Sequence, residues 1–174
     1  MRDLLLVVDM QNDFIDGALG TKEALAIVPN VKAKIENFNG LVLFTRDTHG
    51  ENYLQTQEGK NLPVKHCIKG TKGWEIREEL EALRNTEAID KVTFGSSELG
   101  PMLTKLNAEE AIGHITVIGL CTDICVISNV MIAKAFLPEV PITVDAACCA
   151  GVSVETHNNA LEAMKVCQIE VINQ

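Results

Sequence analysis

Residues 115–126 read ITVIGLCTDICV. The run Ile115–Leu120 is apolar without a break, as in a strand covered on both faces. A short polar step follows, and the pattern then carries a helix from about Ile124 to Phe136. This junction of strand and helix recurs along the chain. Leu4–Val8, Leu41–Thr45, Ala88–Val92, Pro141–Val144 and Ile169–Ile172 read as further strands. Pro29 is expected to open a helix through about Phe38, with Val31, Ile35 and Phe38 on one stripe and Asn39-Gly40 as the stop. Glu75–Arg84, Met102–Leu106 and Ser153–Val166 read as the other helices. The alternation predicts an α/β fold. The expected architecture is a single-domain doubly wound (Rossmann-like) sheet spanning residues 1–174, mainly parallel, with about six strands and helices on both faces.

The totals suit one soluble globular domain: 174 residues, 47% apolar, 22% charged, and a net charge of −9. So acidic a chain argues against nucleic acid or an anionic membrane as partner. The opening MRDLLLVVDMQNDF is apolar too briefly for a signal or spanning segment and reads as a buried strand. Six cysteines without an export signal fit a reducing cytoplasm, where each is packing or chemistry. No Gly-x-Gly-x-x-Gly follows the first strand, which disfavours a dinucleotide-binding enzyme.

Open parallel sheets place their sites at the carboxyl ends of the strands. Asp9 ends the first strand, Asp47 and His49 follow the second, Lys91 ends the third, Cys125 follows the fourth, and Asp145 follows the fifth. Cys121 and Cys125 could be a metal clip, a redox pair or one nucleophile with a neighbour. A four-cysteine zinc site lacks a second spaced pair, since Cys148 and Cys149 are adjacent. A redox pair favours Cys-x-x-Cys. Two readings of Cys125 stay open: a nucleophile whose pKa is lowered at a helix N-terminus, or a small buried hydrophobe. Thr122 or Asp123 is the expected N-cap, and Cys121 is expected to point elsewhere. Asp9 is a partly desolvated proton carrier or a loop cap. Lys91 is a partner for Asp9 and the thiol, or an edge-strand lysine that wards off aggregation. Asp47-x-His49 sets two ligand types on one side of an extended segment, within a long polar stretch over 46–73. His114 and His157 read as surface or helix-face residues, and Lys65 as a solvated lysine.

Asp9, Lys91 and Cys125 together bring a family into view. VVDMQNDF (7–14), TRDTH (45–49), HCIKGTKG (66–73), DKVTFGSS (90–97), GLCTDICV (119–126) and VDAACCAGVS (144–153) keep their order across nearly the whole chain. In these stretches the sequence resembles the isochorismatase-like cysteine hydrolases, and among them the nicotinamidase-related amidases. The resemblance implies a catalytic triad of Asp9, Lys91 and Cys125 acting through a thioester. It implies an oxyanion hole from the backbone N–H groups of Cys121 and Cys125, with a cis peptide before Cys121. It also implies a divalent metal, zinc or else manganese or iron, held by Asp47, His49 and His66. Glu58 is the middle ligand, with Glu51 as its substitute. No organic cofactor is implied. Phe14 fits one aromatic wall of a ring-binding pocket. The residues before His66 supply no second one, leaving Tyr53 or Trp74 to fill it. The implied protein is a cytoplasmic homodimer or homotetramer hydrolysing a small carboxamide, nicotinamide before others. The alternatives are a non-aromatic amide or ureide, an isochorismatase-type vinyl-ether hydrolysis, and a non-catalytic binding domain.

Overall fold

Why the chain folds around its first strand is visible in that strand's side chains. The computed structural model describes residues 1–174, and β1 (Arg2–Val8) lies inside its sheet. Leu4, Leu6 and Val8 enter one core, while Leu5 and Val7 enter the other. Successive side chains of a strand point to opposite faces, so an LLLVV run is stable only with apolar cover on both. Full burial of each contributes about 1.5–3 kcal/mol.

The other strands are β2 (Leu41–Asp47), β3 (Ile89–Lys91), β4 (Ile112–Leu120), β5 (Ile142–Ala150) and β6 (Glu170–Ile172). They form one six-stranded sheet in the order β3-β2-β1-β4-β5-β6. Every pairing is parallel. The helices are α1 (Asn12–Ile15), α2 (Lys22–Glu36), α3 (Gln57–Asn61), α4 (Glu78–Glu81), α5 (Leu99–Glu109), α6 (Ile127–Phe136) and α7 (Val154–Val166). α2 covers one face with α1; α5, α6 and α7 cover the other. The strand order reverses between β1 and β4, and a crevice opens at such a switch point.

Several boundaries differ from expectation, each for a local reason. The helix expected at Pro29 begins at Lys22, because the Thr21 side chain accepts from the Ala24 N–H and caps it there. Pro29 sits inside it, and the carbonyl it leaves without a partner belongs to exposed Leu25. Met102–Leu106 grows into α5, whose Pro101 falls in the first turn, where a missing N–H is no loss. Glu75–Arg84 shrinks to the single turn α4, with Leu80 as its one buried residue. β5 continues to Ala150, so Asp145 lies within the strand rather than after it. Its carboxylate is met by Lys34 of α2 at 2.8 Å and Asn173 at 3.0 Å, away from the strand ends.

Near the switch point the backbones of β1 and β4 touch. A Cβ at Gly119 would stand 2.1 Å from the Val8 carbonyl oxygen, and its φ is +118°. Only glycine fits both conditions. The next peptide but one, Leu120–Cys121, is cis.

Candidate active site

Three elements bring the first cluster together. Asp9 follows β1, Lys91 ends β3, and Cys125 lies in the turn after β4, at 0%, 3% and 5% exposure. The Lys91 ammonium is 2.6 Å from Asp9 Oδ2 and 3.5 Å from Cys125 Sγ. Lys91 is therefore a buried ion-pair partner, although β3 is indeed an edge strand. Thr45 Oγ1 donates to Asp9 Oδ1 at 2.7 Å and fixes the carboxylate from its other side.

The protonation states follow from burial and charge. Burial raises the Asp9 pKa, and Lys91 only partly offsets it. Burial alone would lower Lys91, but Asp9, Cys125 and Asp47 outweigh it and hold the ammonium charged. Burial and the Asp9 carboxylate push the Cys125 thiol well above its ordinary value, against the pull of Lys91. The 2.6 Å contact pairs Lys91 with Asp9, and the raised thiol favours its neutral form beside them. Desolvation and a neighbouring anion thus oppose the lowered pKa expected from a helix N-terminus. The expected caps are also otherwise engaged. Thr122 Oγ1 shares a hydrogen bond with His157 Nδ1 at 2.7 Å, and the Asp123 carboxylate accepts from the Val152 N–H. The turn closes instead on Cys121, whose carbonyl accepts from the N–H groups of Ile124 and Val126. The Cys121 N–H itself donates to no protein group.

The second cluster adjoins the first. Asp47, His49, Glu58 and His66 offer ligand atoms that all lie within 4.8 Å of one another. Asp47 Oδ2 is 2.8 Å from His49 Nε2 and 3.6 Å from His66 Nε2. Glu58 Oε1 is 3.5 Å and 3.6 Å from the same two nitrogens. The expected substitute, Glu51, is on the surface beside Lys65, which accounts for both. Burial raises the Asp47 carboxyl, but the adjoining His49 and His66 imidazoles and the charge of Lys91 bring it well below the carboxylate range.

These residues fit a divalent metal ion. His66 Nδ1 lies 2.8 Å from the Val64 carbonyl, which assigns the proton to Nδ1 and turns a bare Nε2 inward. His49 Nε2 is buried and makes no aligned hydrogen bond. Asp9 and Asp47 share the one ammonium of Lys91, and Glu58 adds a third carboxylate on the far side of Asp47's group, an excess a divalent cation would neutralise. Mixed nitrogen and oxygen donors suit zinc, manganese or iron.

Both clusters open into one cavity of about 270 Å³. Cys125, Cys121, Asp47, Glu58 and His66 line its reactive side, and Phe14, Leu19, Leu62, Phe94, Ile124 and Val152 supply apolar wall. Cys121 faces the cavity, where it was expected to point away. Tyr53 and Trp74 do not line it. Tyr53 is fully buried behind the ligands, its ring centroid 4.7 Å from His49 and 4.9 Å from His66, and its hydroxyl donates to the Leu62 carbonyl. Trp74 donates to Thr48 Oγ1 and lies under the Arg46 guanidinium, 3.8 Å from the ring centroid. The second aromatic of the cavity is Phe94, three residues beyond Lys91, which sequence reasoning missed. Its signal was an aromatic placed just past a strand's carboxyl end, in DKVTFGSS. His114 pairs with Thr143 inside the sheet rather than lying free on the surface.

Comparison with known proteins places this geometry. The isochorismatase domain model matches residues 3–174. The chain is 28% identical to a nicotinamidase/pyrazinamidase of Mycobacterium tuberculosis, over 97% of each protein. It is 32% identical to an isochorismatase family protein of Bacillus subtilis, over 73% of this chain and 75% of that one. The fold superposes on a zinc complex of the pyrazinamidase of Pyrococcus horikoshii with a TM-score of 0.81 and 27% identity, covering 100% of both chains. The chain belongs to the isochorismatase domain family.

Proposed function

We propose that the protein is a cysteine amidohydrolase that converts a small aromatic carboxamide, nicotinamide before others, to the carboxylate and ammonia. The observation that carries this reading is the Asp9–Lys91–Cys125 cluster, in contact order and open to an aromatic-walled cavity. Cys125 Sγ attacks the amide carbon while Asp9 takes the thiol proton, and Lys91 keeps the carboxylate paired throughout. The N–H groups of Cys121 and Cys125 receive the carbonyl oxygen as it becomes an oxyanion. Collapse breaks the C–N bond, and ammonia departs with the proton from Asp9. Water then attacks the thioester with Asp9 as base, which releases the acid and restores the thiol.

A divalent ion held by Asp47, His49, Glu58 and His66 would supply a Lewis-acidic anchor for a ring nitrogen or for water. Phe14 and Phe94 favour an aromatic ring over a ureide, and the complete triad favours amide cleavage over vinyl-ether hydrolysis or mere binding. The names of the relatives point the same way. Residues 1–174 form one domain on one continuous sheet. Six unpaired cysteines support a reducing cytoplasm, and no helix is long and apolar enough to cross a membrane. Assembly as a homodimer or homotetramer is the expectation for sedimentation equilibrium.

The test is ammonia release from nicotinamide by wild type and Cys125→Ala, beside a panel of non-aromatic amides. Wild type should turn over nicotinamide, and the variant should lose at least about 10⁴-fold in kcat. Retained turnover removes the nucleophile, and turnover confined to the non-aromatic amides removes the ring.

A further inference from the structure

The loop after β1 carries more than Asp9. Gln11 is fully buried, and its amide grips the backbone of a metal-ligand candidate at both ends. Gln11 Oε1 accepts from the Asp47 N–H at 2.7 Å, and Gln11 Nε2 donates to the Asp47 carbonyl at 2.8 Å. The same nitrogen donates to the Trp74 carbonyl at 2.8 Å. A primary amide meets all of these demands at once; a carboxylate lacks the donor and an ammonium lacks the acceptor.

Two residues on, Asp13 holds the far end of the ligand loop. Its Oδ2 accepts from the Cys67 N–H at 2.7 Å. Cys67 follows His66 directly and takes a left-handed φ of +47°, so that bond sets how the chain leaves His66. The Cys67 carbonyl in turn accepts from the His49 N–H at 2.9 Å. Gly73 leaves the room this carboxylate needs: a Cβ there would stand 2.1 Å from Asp13 Oδ2.

From these bonds we infer that Gln11 and Asp13 are positioning residues that preform the metal site, referencing Asp47, His49 and His66 to the loop that carries Asp9. The inference rests on the metal reading above. Neither residue lines the cavity, so neither is a catalytic residue. Their effect passes through backbone groups, and side chains that orient ligands in this way are commonly worth about tenfold to hundredfold in metal affinity.

The experiment titrates zinc into metal-stripped full-length protein against a chromophoric chelator, with circular dichroism to establish the fold of each variant. Gln11→Ala and Asp13→Ala should each weaken zinc binding about tenfold to hundredfold. Asp13→Asn keeps an acceptor for the Cys67 N–H and should stay near wild type, a rescue that lost packing alone would not produce. Either folded alanine variant with wild-type affinity overturns the inference, as does Asp13→Asn binding as weakly as Asp13→Ala. Should Gln11→Ala fail to fold, the Asp13 pair decides, since that side chain is only half-buried. Wild-type protein that binds no zinc overturns the metal reading itself, and is distinguished by that.

Discussion

The two buried clusters share a wall and differ in how their charge is settled. In the triad, Asp9 and Lys91 are 2.6 Å apart and neutralise one another inside the protein. In the quartet, Asp47 and Glu58 face two imidazoles, and the positive charge they have is borrowed. Lys91, which lends it, lies 3.4 Å from Asp47. A buried carboxylate without full compensation is costly. The lesson is that the triad balances its charge as folded, whereas the quartet keeps a negative excess that a bound divalent cation would neutralise. Lys91 belongs to both.

The sharpest way to break this comparison is Lys91→Met. It strands Asp9 and Asp47 in the core together, and stability should fall by about 3–5 kcal/mol in urea unfolding. Turnover should vanish with it. Unchanged stability would show that the two clusters do not depend on a common cation. Metal removal sharpens the contrast from the other side. Zinc at about 100 to 1,000 times its Kd should stabilise the protein by about 3–4 kcal/mol over the chelated form. Calorimetry of Cys125→Ala should give the same increment, since the triad does not supply the ligands. An increment that disappears with the thiol would merge the two clusters into one.

Taken per thiol and per pH unit, the smallest effect is alkaline. Burial pushes Cys121 up to about 12, and raises Cys125 and Cys149 as well. Below pH 9 these thiols are protonated in both the folded and the unfolded chain and contribute nothing. Above pH 9 the unfolded chain gives up protons that the folded chain keeps, so stability falls as pH rises, by about 1.4 kcal/mol per pH unit per thiol. Denaturation midpoints between pH 8 and pH 11 measure it. A flat profile would restore the thiolate expected from the helix terminus.

What was legible in the sequence was mostly what a strand makes conspicuous. Asp9 and Lys91 stand out because a charge at the end of an apolar run has few bland explanations, and the parallel sheet follows from LLLVV and its counterparts. Glu58 was reachable through the family resemblance. Other features depend on contacts that no local pattern contains. A low Cys125 pKa was expected because the helix terminus is local, while the burial and the Asp9 carboxylate that oppose it come from packing, Asp9 from a strand more than a hundred positions earlier. Tyr53 and Trp74 were expected in the pocket because aromatics are scarce, yet their polar tips found partners at Leu62 and Thr48 behind it. Asp145 was expected at a strand end because its charge concealed that β5 continues, a charge answered by Lys34 from α2.

The shared lysine stands on the last residue of β3, a strand of three residues at the edge of the sheet, paired to β2 alone. Short edge strands are where proteins open locally, at free energies well below that of global unfolding. Neither large core has to melt for Lys91 to leave Asp9 and Asp47. On warming, the protein should therefore fall silent while still folded, and recover on cooling. Amide hydrogens of β3 would exchange ahead of those in β1, so that the temperature limit of the enzyme is written in its weakest strand rather than in its core.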